Sequence, residues 1–124
     1  MKVYLNPIEA LLMHRVLIER FGGTHGLRDA GALEAALYRP QSGYYDDIIQ
    51  EAAALWESMT KNRPFTDGNK RIGFSITDTF LRLNGYRITA KPGSVFQFIT
   101  TKLEKNEFEY KKLESWLRNN TIKS

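Results

Sequence analysis

No cysteine occurs in the 124 residues, which excludes disulfide frameworks, thiolate metal sites and cysteine nucleophiles together. The same absence fits a reducing compartment, so a cytoplasmic location is the expectation. Histidine is scarce as well: His14 and His25 alone cannot build a histidine-rich metal centre. No apolar run approaches the roughly 18 residues of a membrane span, and the N-terminus lacks a signal-peptide pattern, so no membrane partner is expected. There is no internal repeat, low-complexity tract or long linker, and residues 1–124 are expected to form a single domain.

What is present is a globular balance of 42% apolar and 26% charged residues, enough for one core without covalent staples. Eighteen Lys and Arg against fourteen Asp and Glu leave a formal charge of +4. That suits an anionic partner. No base-stacking motif or recognition helix accompanies the charge, so direct nucleic-acid contact is not expected.

Hydrophobic periodicity is helical nearly throughout. Asn6-Pro7 opens a first helix that Gly22-Gly23 ends, with Leu11, Leu12, Val16, Leu17 and Ile18 as its apolar stripe. Asp29 caps a short helix carrying Leu33, Ala36 and Leu37, which stops ahead of Pro40. The connector Arg39–Tyr45 leads to a strong helix with Ile48, Ala52, Leu55, Trp56 and Met59 at helical spacing. A fourth helix follows the loop Lys61–Gly68, marked by Ile72, Ile76, Thr79, Phe80 and Leu83, and Asn84-Gly85 closes it in left-handed geometry. Tyr86–Thr89 reads as a short extended piece. Ser94 is expected to cap a fifth helix, and Asn106-x-x-Glu109 to act as a capping box for a last one holding Phe108, Leu113, Trp116 and Leu117. The expected fold class is all-α: a compact bundle of about six helices with little or no strand.

One segment stands apart, Arg63-Pro64-Phe65-Thr66-Asp67-Gly68-Asn69-Lys70-Arg71. Gly68 allows a sharp turn close to a ligand. A helix starts directly after it, so free amides and the positive dipole end face outward. Lys70 and Arg71 add two cations where the dipole disfavours them, a conflict that a bound phosphate would resolve. Asp67 is placed to hold Mg2+ beside phosphate oxygens. A surface loop followed by a solvated basic face accounts for the same residues, and the physics alone leaves the two readings level.

The stretch Pro64–Arg71 resembles the signature of the Fic/Doc family, His-x-Phe-x-Asp/Glu-Gly/Ala-Asn-Lys/Gly-Arg, in its Doc (death-on-curing) form. Gly26-Leu27-Arg28-Asp29, Leu33-Glu34-Ala35-Ala36-Leu37 and Arg39-Pro40-Gln41 resemble the same branch. The resemblance covers essentially the whole chain and implies the Fic/Doc fold. It further implies a toxin of a type II toxin–antitoxin pair, transferring the terminal phosphoryl group of ATP or another nucleoside triphosphate. The implied target is a threonine hydroxyl of elongation factor Tu, and the implied second partner a Phd-like antitoxin whose C-terminal segment folds into an apolar groove. AMP transfer is the weaker enzymatic alternative, because Lys70 and Phe74 stand where that chemistry usually has glycine and a second arginine.

By this resemblance Gly68, Asn69, Lys70 and Arg71 bind the nucleotide phosphates, Asn69 also orienting phosphate or target, and Asp67 binds the metal. Phe65 is expected to plug the core and fix the loop. Tyr44 and Tyr45 fall in the region that forms a flap along the target; core packing is weighed slightly ahead of target contact for both. Arg63 is the departure, standing where the family has the histidine that accepts the proton of the attacking hydroxyl. A guanidinium has no acceptor lone pair and stays charged, so it cannot serve as that base. The loss amounts to roughly 10²–10⁴-fold in rate, about 3–5 kcal/mol. An attenuated toxin is therefore expected, Arg63 being either natural or an attenuating replacement; a catalytically dead nucleotide- or antitoxin-binding module is the alternative. Neither His14, read as a packing histidine, nor His25, read as a loop residue, is expected to replace the base.

Overall fold

A computed structural model describes the whole chain, Met1–Ser124. Its elements are α1 (Pro7–Phe21), α2 (Ala30–Tyr38), a 3-10 turn (Arg39–Ser42), α3 (Ile48–Lys61), α4 (Asn69–Leu83), β1 (Tyr86–Ile88), α5 (Pro92–Glu104), α6 (Tyr110–Asn120) and β2 (Thr121–Lys123). Six helices and one two-stranded ribbon make a mostly-α bundle, as the periodicity predicts. The ribbon is antiparallel, pairing Tyr86 with Lys123 and Ile88 with Thr121. Nothing in the sequence marks its second strand, since Thr-Ile-Lys carries too little pattern for an edge strand.

Local chemistry sets most boundaries. Asn6 caps α1 in a full capping box: its side chain accepts from Glu9 N, and Glu9 accepts from Asn6 N. Asp29 caps α2 through Ala32 N, and Asp47 caps α3 through Gln50 N. Such caps are each worth about 1 kcal/mol. Burial raises the Asp47 carboxyl, but the Gln50 amide and the Arg118 guanidinium outweigh it and hold the group below its ordinary value. Gly85 ends α4 at φ 87, whereas Asn84 keeps a negative φ. Asn84 instead uses its side chain, which donates to Phe80 O and exchanges two 2.8 Å bonds with the backbone of Val3.

Helix α3 is the centre of the core, with Ala52, Ala53, Ala54, Leu55, Trp56 and Met59 all buried. Glu51, Ser58 and Thr60 of the same helix are buried as well, so α3 is enclosed on most of its sides although it is not apolar throughout. Three successive alanines keep it slim enough for neighbours to approach. Trp56 packs edge-on or tilted against Phe74, Phe98, Phe108 and Trp116 at 5.5–5.9 Å between centroids. Pairs of this kind add roughly 0.5–1.5 kcal/mol beyond simple burial. At the α3–α4 crossing Gly73 lies against Thr60, and a Cβ there would collide with the Thr60 hydroxyl.

Four expectations fail for identifiable reasons. In α1 the buried residues are Ala10, His14 and Ile18, while Leu12 and Val16 are each 57% exposed and Leu11 is exposed too. The helix carries more apolar residues than its single packed face can take. Ser94 does not cap α5; the helix starts earlier, with Lys91 at the cap and Pro92 in the first turn. Asn106 forms no capping box, because it sits at φ 56 and α6 begins only at Tyr110, after Phe108. The orphan amide of Tyr110 donates instead to Glu57 Oε2 of α3 at 2.8 Å, so a distant carboxylate supplies the cap. In α4, Thr79 is only half-buried and Leu83 is exposed; Thr77 and Leu81 take the inward positions.

Candidate active site

The segment joining α3 to α4 is held by the exposed loop between α1 and α2. Arg28 N and Asp29 N both donate to Pro64 O, at 2.8 and 3.0 Å, and Thr66 N donates to Gly26 O at 2.9 Å. Leu27 and Phe65 form an isolated antiparallel bridge. The Arg28 guanidinium then reaches further, donating from Nε to Arg63 O at 2.6 Å and from Nη2 to Asn62 O at 2.8 Å. This clamp fixes Arg63 at φ 48, a left-handed conformation that costs an L-residue roughly 1–2 kcal/mol.

Beneath the loop, Phe65 is buried and stacks face to face on His14, 3.8 Å between centroids. His14 Nε2–H donates to Asp67 O at 2.8 Å, which fixes its tautomer. The packing role expected of His14 is thus observed, with a tether to the loop added. Asn69 is 8% exposed and spends its amide on the same residue: Oδ1 accepts from Phe65 N at 3.0 Å and Nδ2 donates to Phe65 O at 2.9 Å. One N–H and one lone pair remain for a ligand. Its first task is therefore to clamp the loop, where the sequence pointed to phosphate or target alone.

Gly68 also has a second employer. It adopts φ 75, and a Cβ there would lie 3.2 Å from Ile18 Cδ1 and 3.6 Å from His14 Nε2. The absent side chain lets α1 close on the loop, besides allowing the turn. Asp67 is exposed, with Oδ2 accepting from Thr24 N at 3.0 Å and Oδ1 from Gly68 N at 2.8 Å. The Thr24 amide first, then that of Gly68, hold its carboxyl below the ordinary range. Asp67 is thus ionised at neutral pH, with lone pairs to spare on both oxygens.

Helix α4 begins immediately after Gly68 with no side-chain cap. The amides of Asn69, Lys70 and Arg71 find no acceptor within the chain. Lys70 and Arg71 are exposed, and neither joins an ion pair. The Arg71 guanidinium lies 4.1 Å above the Phe21 ring at the end of α1. Arg63, Asp67, Gly68, Asn69, Lys70 and Arg71 all line one cleft of about 1060 Å³. From this mouth the cleft runs between α1, α4 and α5, over Leu17, Phe74, Val95, Phe96, Ile99 and Leu103.

Tyr44 and Tyr45 are not brought into that cleft. Tyr44 is 82% exposed, which corrects the expectation of core packing. Tyr45 is half-buried between Tyr44 and Tyr110, and its hydroxyl accepts from Arg39 Nε at 2.7 Å. Arg39 also donates to Glu57 and Ser58 at 2.8 and 2.9 Å, anchoring the 3-10 turn to α3. His25 is exposed and does not line the cleft. Sequence reasoning missed two residues, Arg28 and Phe21. The Gly-Leu-Arg-Asp stretch held the signal for Arg28, but nothing local marked Phe21.

The fold and the loop define a helical protein with an uncapped helix mouth, flanked by free cations, at the end of an apolar groove. The Fic/DOC family model matches residues 4–81; the chain belongs to the Fic/Doc family. It is similar to Toxin Doc of Mycolicibacterium smegmatis, 40% identical over 75 residues, covering 56% of this chain and 58% of the relative. It is also similar to Protein kinase doc of Escherichia phage P1, 30% identical over 93 residues, covering 72% of this chain and 74% of the relative. The match to the first thus spans less than two thirds of that protein's length. No helix is long and apolar enough to cross a membrane.

Proposed function

We propose that this chain is a Doc-type toxin whose site transfers the terminal phosphoryl group of a nucleoside triphosphate to a protein hydroxyl, attenuated by Arg63. The observation that carries the reading is the mouth of α4. Three amides without acceptors and two cations without carboxylate partners converge there on one cleft. Phosphoryl transfer asks a protein mainly for positioning and charge stabilisation. Lys70 and the planar fork of Arg71 hold phosphate oxygens, with the α4 amides behind them. The ionised Asp67 is a hard oxygen donor that suits Mg2+, which would neutralise phosphate charge when bound. ATP is the nucleotide expected, a threonine of elongation factor Tu the target, and Tyr44 on its exposed turn a candidate target contact. A single domain over residues 1–124 and a cytoplasmic setting belong to the same reading. A Phd-like antitoxin segment fits the apolar groove over Phe74, Phe96 and Leu103.

The leading residue decides activity. Arg63 cannot accept a proton, and this favours a second reading, a nucleotide- or antitoxin-binding module without catalysis. Histidine enters left-handed backbone more readily than most residues, so Arg63→His should seat in the same clamp. In that variant, transfer of labelled γ-phosphate from ATP to the elongation factor is expected to rise by roughly 10²–10⁴-fold, with growth arrest on expression. The target should gain the mass of a phosphate, not of an adenylate. A folded Arg63→His chain that neither transfers phosphate nor arrests growth would leave the binding module as the better account.

A further inference from the structure

We propose that Phe21, the last residue of α1, is a positioning residue for anion capture: its ring face presents Arg71 to the ligand with every guanidinium donor free. The inference rests on the phosphate-site reading above and names a part that neither the motif nor the comparisons assign.

Lys70 and Arg71 lie in the first turn of α4, where the dipole already contributes positive charge. Two uncompensated cations there repel the helix and each other. The usual remedy is a neighbouring carboxylate. Asp67 is the only acidic residue of the loop, and its oxygens are turned to Thr24 N and Gly68 N. Arg71 accordingly has no ion pair, and its guanidinium carbon sits over the Phe21 ring, 4.1 Å from the centroid.

A carboxylate and an aromatic ring solve the repulsion differently. A carboxylate binds the edge of the guanidinium, occupying the N–H groups that an incoming phosphate needs. A ring attracts the cation through its negative face and touches only the flat side. Arg71 donates no side-chain hydrogen bond within the chain, so its N–H groups remain available for two-point contact with an anion. Phe21 is 57% exposed, so its place is not explained by the core, yet it lines the same cleft as Lys70 and Asn69. A large apolar ring half in water beside an unpaired arginine is what a docking plate requires.

The alternative is that the stack stores Arg71 away from the ligand. The two cases differ in sign. If the stack persists with ligand bound, losing the ring makes binding weaker, because the arginine must then be ordered at the moment of capture. If ligand has to pull Arg71 off the ring, losing the ring makes binding tighter.

The test is calorimetric titration of Mg·ATP into the full chain and into Phe21→Leu, Phe21→Tyr, Arg71→Ala and the Phe21→Leu/Arg71→Ala pair. Phe21→Leu is expected to bind roughly two- to twelvefold more weakly, the penalty for immobilising one long side chain. Phe21→Tyr should match the unmutated chain. In the Arg71→Ala background Phe21→Leu should change nothing further, which a general structural role would not reproduce. Unchanged or tighter binding by a folded Phe21→Leu chain, checked by its melting curve, overturns the proposal alone. No uptake by the unmutated chain overturns it together with the phosphate-site reading.

Discussion

Replacing Asn69 by alanine should strongly destabilise this protein through the loop that its side chain clamps. Asn69 is buried and its amide holds both backbone polar groups of Phe65. Phe65 itself is 1% exposed, so neither group can turn to water without moving the ring off His14. Each orphaned buried group costs about 1–3 kcal/mol, and the pair should cost roughly 2–5 kcal/mol after relaxation. Alanine is a good residue for the start of α4, so helix propensity does not add to the loss. For a chain of this size the melting temperature should fall by roughly 6–20 °C. Urea unfolding followed through the tryptophan fluorescence of Trp56 and Trp116 gives the free energy directly. Arg71→Ala is the control: exposed two residues away, it should cost under about 1 kcal/mol while weakening nucleotide binding. An Asn69→Ala chain with the urea midpoint of the unmutated protein would refute the clamp.

Two other outcomes follow from the same loop. Arg28→Met removes the donors to Asn62 O and Arg63 O, costing about 1–2 kcal/mol because the contacts are exposed. It should also let residue 63 leave positive φ, seen as a changed amide–Hα coupling in NMR; an unchanged coupling with unchanged stability would remove Arg28 from the account. Asp67 is held below its ordinary carboxyl value by the Thr24 and Gly68 amides, so its contribution is complete above roughly pH 4 and is lost as pH falls through the lower, folded value. The Thr24 amide shift should titrate in that acid window and lie flat in Asp67→Asn; a Thr24 shift that ignores Asp67 would contradict the bond.

Much of this architecture is legible because its signals are local. Asn6 with Glu9, Asp29 and Asp47 mark helix starts through side chains a few residues from the amides they cap. The inward residues of α3 stand at true helical spacing. What escaped depends on distance along the chain. Glu57 caps α6 from 53 residues away, and no spacing rule near Asn106 could show it. His14 displaced Leu12 and Val16 from the core because Asp67 O and the Phe65 ring satisfy it there, partners that exist only once α1 and the loop meet. In the site, the residue types of the motif were readable but their division of labour was not. Asn69 and Gly68 serve packing as well as any ligand, and only the contacts with Phe65, Ile18 and His14 separate those duties.

The exposed turn from Gly22 to Arg28 works as a splint, bound rung by rung to the segment that follows α3. A protease nick within it would cut no residue of the motif and leave Arg63, Lys70 and Arg71 chemically whole. Pro64, Thr66 and Asp67 would still lose part of the backing that keeps them in line, leaving the His14 and Asn69 contacts alone to hold the mouth of α4.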